Sequence, residues 1–336
     1  MSQASKTVIM LGDINVDNIW PVPAIPQPGR DGLVDTVKME TGGAILNSAI
    51  MMDRLGFEPS LIGCVGDDVW YAYLKGRLSN TRIDLSALQR TRDQNTGLTF
   101  ILVTPDGERT MLGYRGANKL LSPETIIPDL FESASWLHIS GYAFLESPQR
   151  EAAWRAIELA TDRSVPISLD TGLEPVMRHK ADFLRVLPLL ELCISGLAEM
   201  DQLLGAGTPE EAAEKLLAAG VGMAAIKLGG EGSLLLDEKE SFHCPPFEVD
   251  VVDTTGAGDA YSAGLLYGRL HGFDLRSSGV LASALGALAA CSEGAGLALP
   301  NINDLTAFLT DRRLTDNNAF REVLFKLHAH FQLQGD

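Results

Sequence analysis

The sequence predicts an α/β protein in which helices cover both faces of a mostly parallel central sheet, with a small antiparallel β lid beside it. Short β-rich runs alternate with helical patterns from about residue 136 onward, an order typical of a parallel sheet. Two earlier segments, 14–40 and 95–118, instead alternate apolar and polar residues around turn signals. This alternation indicates strands with one solvated face, and we expect these segments to form the lid.

Local patterns predict the elements in chain order. A helix over 208–220 has Thr208 as its N-cap, Pro209 at its first position and Gly220 at its end. A second amphipathic pattern predicts a helix over 148–162. Strands are predicted at 7–12, 60–66, 98–104, 136–140, 165–170, 192–195 and 224–229.

Length and composition predict one large domain. The chain has 336 residues, of which 46% are hydrophobic, enough to bury a sizeable core. We expect this domain to cover 1–310, with the two lid segments inside it. The remaining residues, 311–336, have an amphipathic pattern and are expected to form a C-terminal helical extension.

Charge restricts the classes of partner. The net charge of -17 argues against binding to nucleic acid or to an anionic membrane, because both attract basic surfaces. Four scattered cysteines form neither a metal-ligand spacing nor a disulfide framework, which favours a cytoplasmic protein. The first apolar run is too short for a signal peptide or a membrane span. A phosphate ligand would therefore need a local binding site.

One glycine turn offers such a site. In the segment 251–268, Gly256 and Gly258 precede Asp259 and lead directly into an apolar helix. Glycines let a ligand approach the backbone, and the free amides of a helix N-terminus favour negative charge. Asp259 is then either a capping residue or a general base that takes the proton of an attacking hydroxyl.

Two motifs carry a resemblance to a known family. The stretch DTTGAGDAYSAGLL (253–266) resembles the C-terminal signature of the ribokinase-like carbohydrate kinases of phosphofructokinase-B type, the PfkB family. The stretches LGDINVDNIW (11–20) and METGGAILNSAIMMDRLG (39–56) are similar to its N-terminal signature. The resemblance extends to about residue 310. It implies a three-layer α/β/α sandwich that transfers the γ-phosphoryl group of ATP to a hydroxyl, expected to be primary, of a sugar or sugar derivative.

The resemblance also implies roles for individual residues. Asp259 would be the catalytic base, and the amides of Gly256, Ala257 and Gly258 would form the anion hole. The residues implied in substrate binding are Asp13, Asn15, Asp17, Gly42, Gly43, Asn47, Asn118 and Arg115. The residues implied in nucleotide binding are Lys227, Gly229, Gly232 and Gly258. Two alternatives stay open: Arg115 could be a solvated lid residue, and Lys227 could be a strand-end lysine paired with an acid.

The chain departs from the family pattern at three places. Gly196 stands where an asparagine is usual, while Glu199, implied in water-mediated Mg²⁺ binding, is kept. Tyr142 stands where ribokinases have an acid that contacts ribose, which argues against ribose as the substrate.

The third departure from the family pattern concerns a site for a monovalent cation. The resemblance implies that Asp253, Thr255 and the loop 291–298 contribute to it, largely through backbone carbonyls, but Ala298 lacks the side-chain oxygen of one further ligand. Dependence on K⁺ is therefore open.

Other functions have weaker support. A nucleoside kinase of the same fold is the main alternative, with Trp20, Phe100 and Tyr114 as lid aromatics that could stack on a base. A non-catalytic sugar sensor would not need Asp259. The motifs of nicotinamide-dependent oxidoreductases and Walker-type ATPases do not occur in the sequence. We expect a sugar-like substrate, ATP and Mg²⁺ as ligands, and a homodimer formed through the lid strands.

Overall fold

The computed structural model describes residues 7–105, 108–312 and 318–332, which form a nine-stranded and a four-stranded sheet. The strands are β1 (Thr7–Leu11), β2 (Asn15–Pro21), β3 (Lys38–Gly42), β4 (Glu58–Gly66), β5 (Leu88–Thr91), β6 (Gly97–Val103), β7 (Arg109–Tyr114), β8 (Ala134–Ser140), β9 (Ile167–Asp170), β10 (Leu192–Gly196), β11 (Met223–Lys227), β12 (Ser233–Asp237) and β13 (Ser241–Cys244).

The larger sheet has the strand order β13-β12-β11-β10-β9-β8-β1-β4-β5. Neighbouring strands from β11 to β5 pair in parallel, whereas β12 and β13 are antiparallel at one edge. This confirms the predicted mostly parallel sheet. Because the carboxyl ends of parallel strands meet at one edge, the residues that follow these strands come together.

Helices cover both faces of this sheet, as predicted, and two clusters of buried apolar side chains lie between the layers. Thr208 caps the predicted helix by accepting a hydrogen bond from the Glu211 amide at 3.2 Å. The helices are α1 (Ala44–Arg54), α2 (Val69–Arg77), α3 (Gln149–Asp162), α4 (Leu173–Arg178), α5 (Lys180–Val186), α6 (Leu197–Leu204), α7 (Pro209–Ala218), α8 (Ala257–Leu270), α9 (Leu275–Ala290), α10 (Ile302–Arg312) and α11 (Asn318–Gln332).

The smaller sheet is the lid and has the order β3-β2-β6-β7. The sequence predicted an antiparallel lid. The outer strand pairs are antiparallel, but β2 and β6 run parallel, so the lid is a mixed sheet. The reason lies in the connections. β2 follows β1 and β6 follows β5, and both β1 and β5 are parallel strands of the larger sheet.

The C-terminal helices pack on the main domain. Leu324, Leu327 and Phe331 of α11 are buried in the same apolar cluster as Leu305 and Leu309 of α10. The division expected at residue 310 stays a prediction, and part of it, 313–317 and 333–336, lies outside the described residues. Within the described ranges, every helix is too short or too polar to cross a membrane.

Candidate active site

The predicted anion hole lies at the start of α8. Gly256 has φ 78°, a left-handed conformation that favours glycine, and a Cβ there would lie 3.0 Å from the Ala295 Cβ. The Ala257 amide donates to the Thr254 carbonyl at 3.2 Å. The next amides, those of Gly258 and Asp259, belong to the first helical turn, whose amides have no intrahelical acceptor. They can therefore donate to an anion.

Asp259 is held by the N-terminal motif. Asn47, near the start of α1, donates from Nδ2 to Oδ2 of Asp259 at 2.7 Å, and its Oδ1 accepts from the Gly296 amide at 3.0 Å. Asp259 is partly buried at the base of a cleft, and desolvation raises the pKa of its carboxyl to about 7, although the Asn47 hydrogen bond opposes this rise. A carboxyl with this pKa accepts a proton readily near neutral pH.

Lys227 lies at the end of β11. It pairs with an acid, which is one of the two alternatives that the sequence left open. Its Nζ lies 2.8 and 2.9 Å from the two carboxylate oxygens of Asp170, which also accept from the Ser262 hydroxyl at 2.8 Å. Burial alone would lower the pKa of Lys227, but Asp170 raises it above its ordinary value, so the lysine is charged. Asp170 was not identified from the sequence. Its position as an acid at the end of a buried strand is the feature that could have indicated a role in the site.

A cavity of about 590 Å³ opens beside this pair. All four residues predicted to bind the nucleotide, Lys227, Gly229, Gly232 and Gly258, line it. Gly232 has φ 90°, and a Cβ there would lie 2.1 Å from the Cys244 carbonyl oxygen. The rest of the lining is mainly apolar and includes Phe247, Val249, Tyr261, Ala287 and Ala290. A cavity with phosphate-binding groups at one end and apolar walls at the other suits a nucleotide.

Three of the predicted substrate residues lie on the other side of Asp259. Asn118 is fully buried and donates from Nδ2 to Oδ1 of Asn15 at 2.8 Å, while its own Oδ1 accepts from the Ile14 amide at 2.8 Å. Asn118 therefore orients Asn15 and fixes the turn between β1 and β2. Asp17 follows on the inner face of the lid.

Asp17 packs over the double glycine. A Cβ on Gly42 would lie 2.2 Å from the Asp17 carboxyl, and one on Gly43 would lie 2.4 Å from the Asp13 carbonyl oxygen. A side chain at either position would collide with these atoms, so both residues need to be glycine. Gly43 also has φ 94°, which is in the left-handed region. Burial raises the pKa of Asp17 to about 6, against the effect of a hydrogen bond with Thr99.

Arg115 and Asp13, both predicted to bind the substrate, form an ion pair with each other. The Arg115 Nε and Nη2 lie 2.9 Å from the two Asp13 oxygens, and Gln149 donates to Asp13 at 2.8 Å. Arg115 also pairs with Glu146 at 3.1 Å. Its side chain is 19% exposed, so it is not a solvated lid residue. This network fixes the mouth of the site with its charges already paired.

Glu199 lies in the first turn of α6, directly after β10. The carboxylate folds back over Gly196, whose Cβ would lie 2.3 Å from Oε2, so the glycine makes room for this arrangement. Within the ranges that the structure describes, no group of three or more His, Cys, Asp or Glu side chains is placed to hold a metal ion. Mg²⁺ bound through phosphates needs only one or two carboxylates and water, and Glu199 fits that requirement.

Asp253 and Thr255 have an unpredicted partner. The guanidinium of Arg109, from β7, contacts both the Asp253 carboxylate and the Thr255 hydroxyl. Asp253 additionally accepts from the Thr255 amide at 2.7 Å and from the Gly294 amide at 2.6 Å. These oxygens are thus engaged by protein donors, which does not fit a metal cation at this position.

The predicted lid aromatics do not share a face with Asp17. Side chains alternate along a strand, and the registers of β2, β6 and β7 put Trp20, Phe100 and Tyr114 on the opposite side of the lid. Tyr142 instead lies near the ends of β8 and β9, with its ring 3.2 Å from the Cβ position of Gly172. Tyr142, which is outside the lid, lies close to the Arg115–Asp13 pair, since its backbone carbonyl accepts from the Arg115 guanidinium at 2.9 Å.

Comparison with known proteins agrees with this geometry. A family model described as pfkB family carbohydrate kinase matches residues 5–302. Aminoimidazole riboside kinase of Salmonella typhimurium is 33% identical over 324 residues, which is 93% of this chain and 98% of that protein.

Two solved structures resemble the chain. Aminoimidazole riboside kinase of Salmonella enterica, complexed with aminoimidazole riboside and an ATP analogue, has a TM-score of 0.77 at 28% identity and covers 90% of this chain and 99% of its own. A protein described as ribokinase II of E. coli, in complex with ATP and Mg²⁺, has a TM-score of 0.82 at 24% identity over 92% and 100% of the two chains. The second likeness supports the ribokinase-like fold alone.

The fold and the site define a phosphotransferase that acts on an alcohol group. The family match is specific and covers most of the chain, so the protein belongs to the PfkB family of carbohydrate kinases.

Proposed function

We propose that this kinase transfers the γ-phosphoryl group of ATP to a hydroxyl, most simply a primary one, of an uncharged sugar or riboside. One observation carries the proposal. The Asp259 carboxyl, whose pKa is raised to about 7, lies in the first turn of α8, between the nucleotide-sized cavity and the polar residues of the lid. A base and an anion hole on one helical turn are what in-line phosphoryl transfer requires.

The chain's own residues divide the work of the reaction. Asp259 accepts the hydroxyl proton as the substrate oxygen attacks, and the amides of Gly256, Gly258 and Asp259 hold the charge on the transferred group. Lys227, kept charged by Asp170, lies at the phosphate end of the cavity. Mg²⁺, when bound, would neutralise the charge of the phosphates, and Glu199 would hold its waters. The lid excludes water from this site.

Charge supports an uncharged substrate. A second cavity of about 180 Å³, between the lid and the anion-hole loop, is lined by Asp17, Glu40, Asp253 and Glu293 against Arg109. Both arginines at the site, Arg109 and Arg115, are already paired with carboxylates. A sugar acid or sugar phosphate would bring further negative charge to these acids, whereas hydroxyls can donate to them.

A riboside is the second candidate, since the 33%-identical relative is an aminoimidazole riboside kinase. Tyr142 is 41% exposed near the ends of β8 and β9, where its ring could stack on a heterocyclic base. Free ribose has less support, because Tyr142 has no carboxylate to accept from its hydroxyls.

The test is a screen for ADP release. Fructose, ribose, aminoimidazole riboside, common nucleosides, sugar acids and sugar phosphates are each offered with ATP and Mg²⁺, and the phosphorylated carbon is identified by phosphorus-coupled NMR. We expect turnover with a neutral sugar or riboside. Turnover restricted to sugar acids or sugar phosphates would contradict the proposed substrate class.

Asp259→Asn is the matched catalytic variant for this screen. We expect it to bind ATP with near wild-type affinity and to lose about 10² to 10⁴ in kcat. Asp250→Asn, at an exposed acid of the same segment, serves as the control and should retain full activity. Near wild-type turnover by Asp259→Asn would show that Asp259 is not the base.

The lid supports a proposal about assembly. Met39, Phe100, Leu112 and Tyr114 are each between 37% and 64% exposed, and the strand registers put them on its outer face. Such a patch beside the edge strand β7 fits a second copy of this chain, so we expect a homodimer. A cytoplasmic location, which the free cysteines favour, stays a prediction.

A further inference from the structure

Arg109 joins the lid to the anion-hole loop. It is the first residue of β7, and its side chain is 19% exposed on the same face of the lid as Asp17 and Ile101. From there its guanidinium reaches Asp253 and Thr255, the residues directly before Gly256. Asp253 is 3% exposed at its side chain, so the contact is an ion pair largely removed from water.

The Asp253 carboxylate organises two loops at once. One oxygen accepts from the Thr255 amide and the other from the Gly294 amide. Two residues beyond Gly294, the Gly296 amide donates to Asn47, the residue that holds the Asp259 carboxylate. The Asp253 carboxylate therefore supports the anion-hole loop and, through Gly296 and Asn47, the position of Asp259. Its countercharge comes from Arg109 in the lid.

A buried carboxylate needs a cation close by, because an unpaired one is strongly destabilising. The resemblance described above assigns this role to a monovalent metal ion beside Asp253 and Thr255. Here one Asp253 oxygen and the Thr255 hydroxyl already contact Arg109, and Ala298 has no side-chain oxygen to act as a further ligand. The protein itself thus supplies the positive charge.

We propose that Arg109 is a positioning residue that replaces a monovalent cation, orders the anion-hole loop when the lid is closed, and makes the enzyme independent of K⁺. The lid then contributes to phosphoryl transfer, by ordering the anion-hole loop, as well as covering the sugar. When the lid opens, Arg109 moves away with β7 and Asp253 loses its countercharge. The anion hole is then fully ordered only in the closed state, which limits ATP hydrolysis in the absence of substrate.

The experiment compares wild type, Arg109→Ala and Arg109→Lys in KCl and in tetramethylammonium chloride at equal ionic strength. Three quantities are measured: kcat, the thermal unfolding midpoint, and the affinity for ADP by calorimetry. The last two need no sugar, so a failure to identify the substrate is distinguishable from failure of this proposal. Arg92→Gln removes a lid-independent surface arginine, 87% exposed and paired with Asp67, and is the control.

We expect wild type and Arg92→Gln to give the same three values in both salts. Arg109→Ala should lose about tenfold or more in kcat without K⁺ and regain part of it with K⁺, because the freed Asp253 can then bind the ion. Its unfolding midpoint and ADP affinity should also rise specifically in KCl. Arg109→Lys keeps a charge and should stay insensitive to K⁺.

Two results would overturn the proposal. One is a wild-type enzyme whose kcat, unfolding midpoint or ADP affinity rises specifically with K⁺. The other is an Arg109→Ala variant that shows no K⁺ response in any of the three measurements, whether it is active or inactive. A folded Arg109→Ala protein with full activity in the absence of K⁺ belongs to the second case.

Discussion

Asn47 donates a 2.7 Å hydrogen bond to the Asp259 carboxylate across 212 residues of sequence. The same amide group accepts from Gly296, so it has no freedom to turn away. The bond stabilises the ionised form of Asp259 and so opposes the effect of desolvation on its pKa. Asn47 thereby lowers the pKa of the proposed base.

The pKa of Asp259 predicts the pH profile of the wild-type enzyme. The carboxyl must be ionised to take a proton, and desolvation raises its pKa to about 7. We expect kcat/KM to fall about tenfold for each pH unit below that value and to level off above it. Initial rates between pH 5.5 and 8.5 at constant ionic strength measure this. A flat profile over that range would exclude Asp259 as the titrating base.

Asn47→Ala should shift this profile to higher pH. Without the hydrogen bond to its ionised form, Asp259 has a still higher pKa, and we expect the apparent value to rise by about one unit. Activity at pH 7 should then drop about fivefold and recover partly at pH 8.5. Ser48→Ala is the control, because the Ser48 hydroxyl donates to the Asp259 backbone carbonyl and not to its carboxylate. An unshifted profile with a uniformly lower rate would indicate a purely structural role for Asn47.

Asp259→Asn should stabilise the fold, and more so as pH rises. The folded-state pKa of Asp259, about 7, lies above the ordinary value of about 3.9, so the folded protein binds a proton that the unfolded chain releases between these pH values. Wild-type stability is therefore lost as pH rises through this window. Because Asp259 is partly exposed, we expect the advantage of the variant to grow by only on the order of 2 kcal/mol between pH 5 and 8.

Denaturant unfolding at the two pH values measures this difference in the free energy of unfolding. Asp250→Asn, at an exposed position, should show no such pH-dependent gain. An equal effect of both variants would indicate that net charge, and not the desolvated carboxyl, controls the difference.

Gly42→Ala should impair substrate binding selectively. The added Cβ would lie 2.2 Å from the Asp17 carboxyl and must displace it, so we expect KM for the sugar to rise by about tenfold or more while ATP affinity is kept. Gly113→Ala is the matched control, since this lid glycine has no atom within 4 Å of its Cβ position. Steady-state kinetics with each substrate varied in turn give the two values. Unchanged sugar KM in Gly42→Ala would remove Asp17 from the binding site.

The outer face of the lid predicts the oligomeric state. A glutamate at Leu112, which is 64% exposed on that face, should dissociate the expected dimer because a charge is costly to bury in an apolar interface. Light scattering measures the mass of wild type and Leu112→Glu. Val69→Glu, at a 73% exposed position on α2, should leave the mass unchanged. A monomeric wild-type protein would refute the proposal of a dimer.

The sequence predicted the sheet because its strands are continuous apolar runs ended by glycine or by acids, and both are local features. It predicted Asp259 and the glycines around it for a similar reason. A tight turn before a helix restricts the residue types that fit there, and this restriction is also local. The mixed pairing of the lid was not predictable, since strand direction depends on where each strand leaves the main sheet.

Partners that are distant in sequence were also missed. Asp170 and Arg109 looked like an ordinary strand-end acid and an ordinary lid arginine until the fold brought them to Lys227 and Asp253. No local pattern encodes such a pairing. Asp13 likewise carried a predicted substrate role, and its pairing with Arg115 became visible only in three dimensions.

The position of Gly296 also affects how the protein is made. The base is held by Asn47, and Asn47 is in turn held by the Gly296 amide, so the two ends of the chain must meet before the site exists. Contacts of such high sequence separation form late in folding. A nascent chain emerging from the ribosome therefore cannot organise this site before Gly296 has been synthesised, and a fragment that ends before this loop would lack the arrangement.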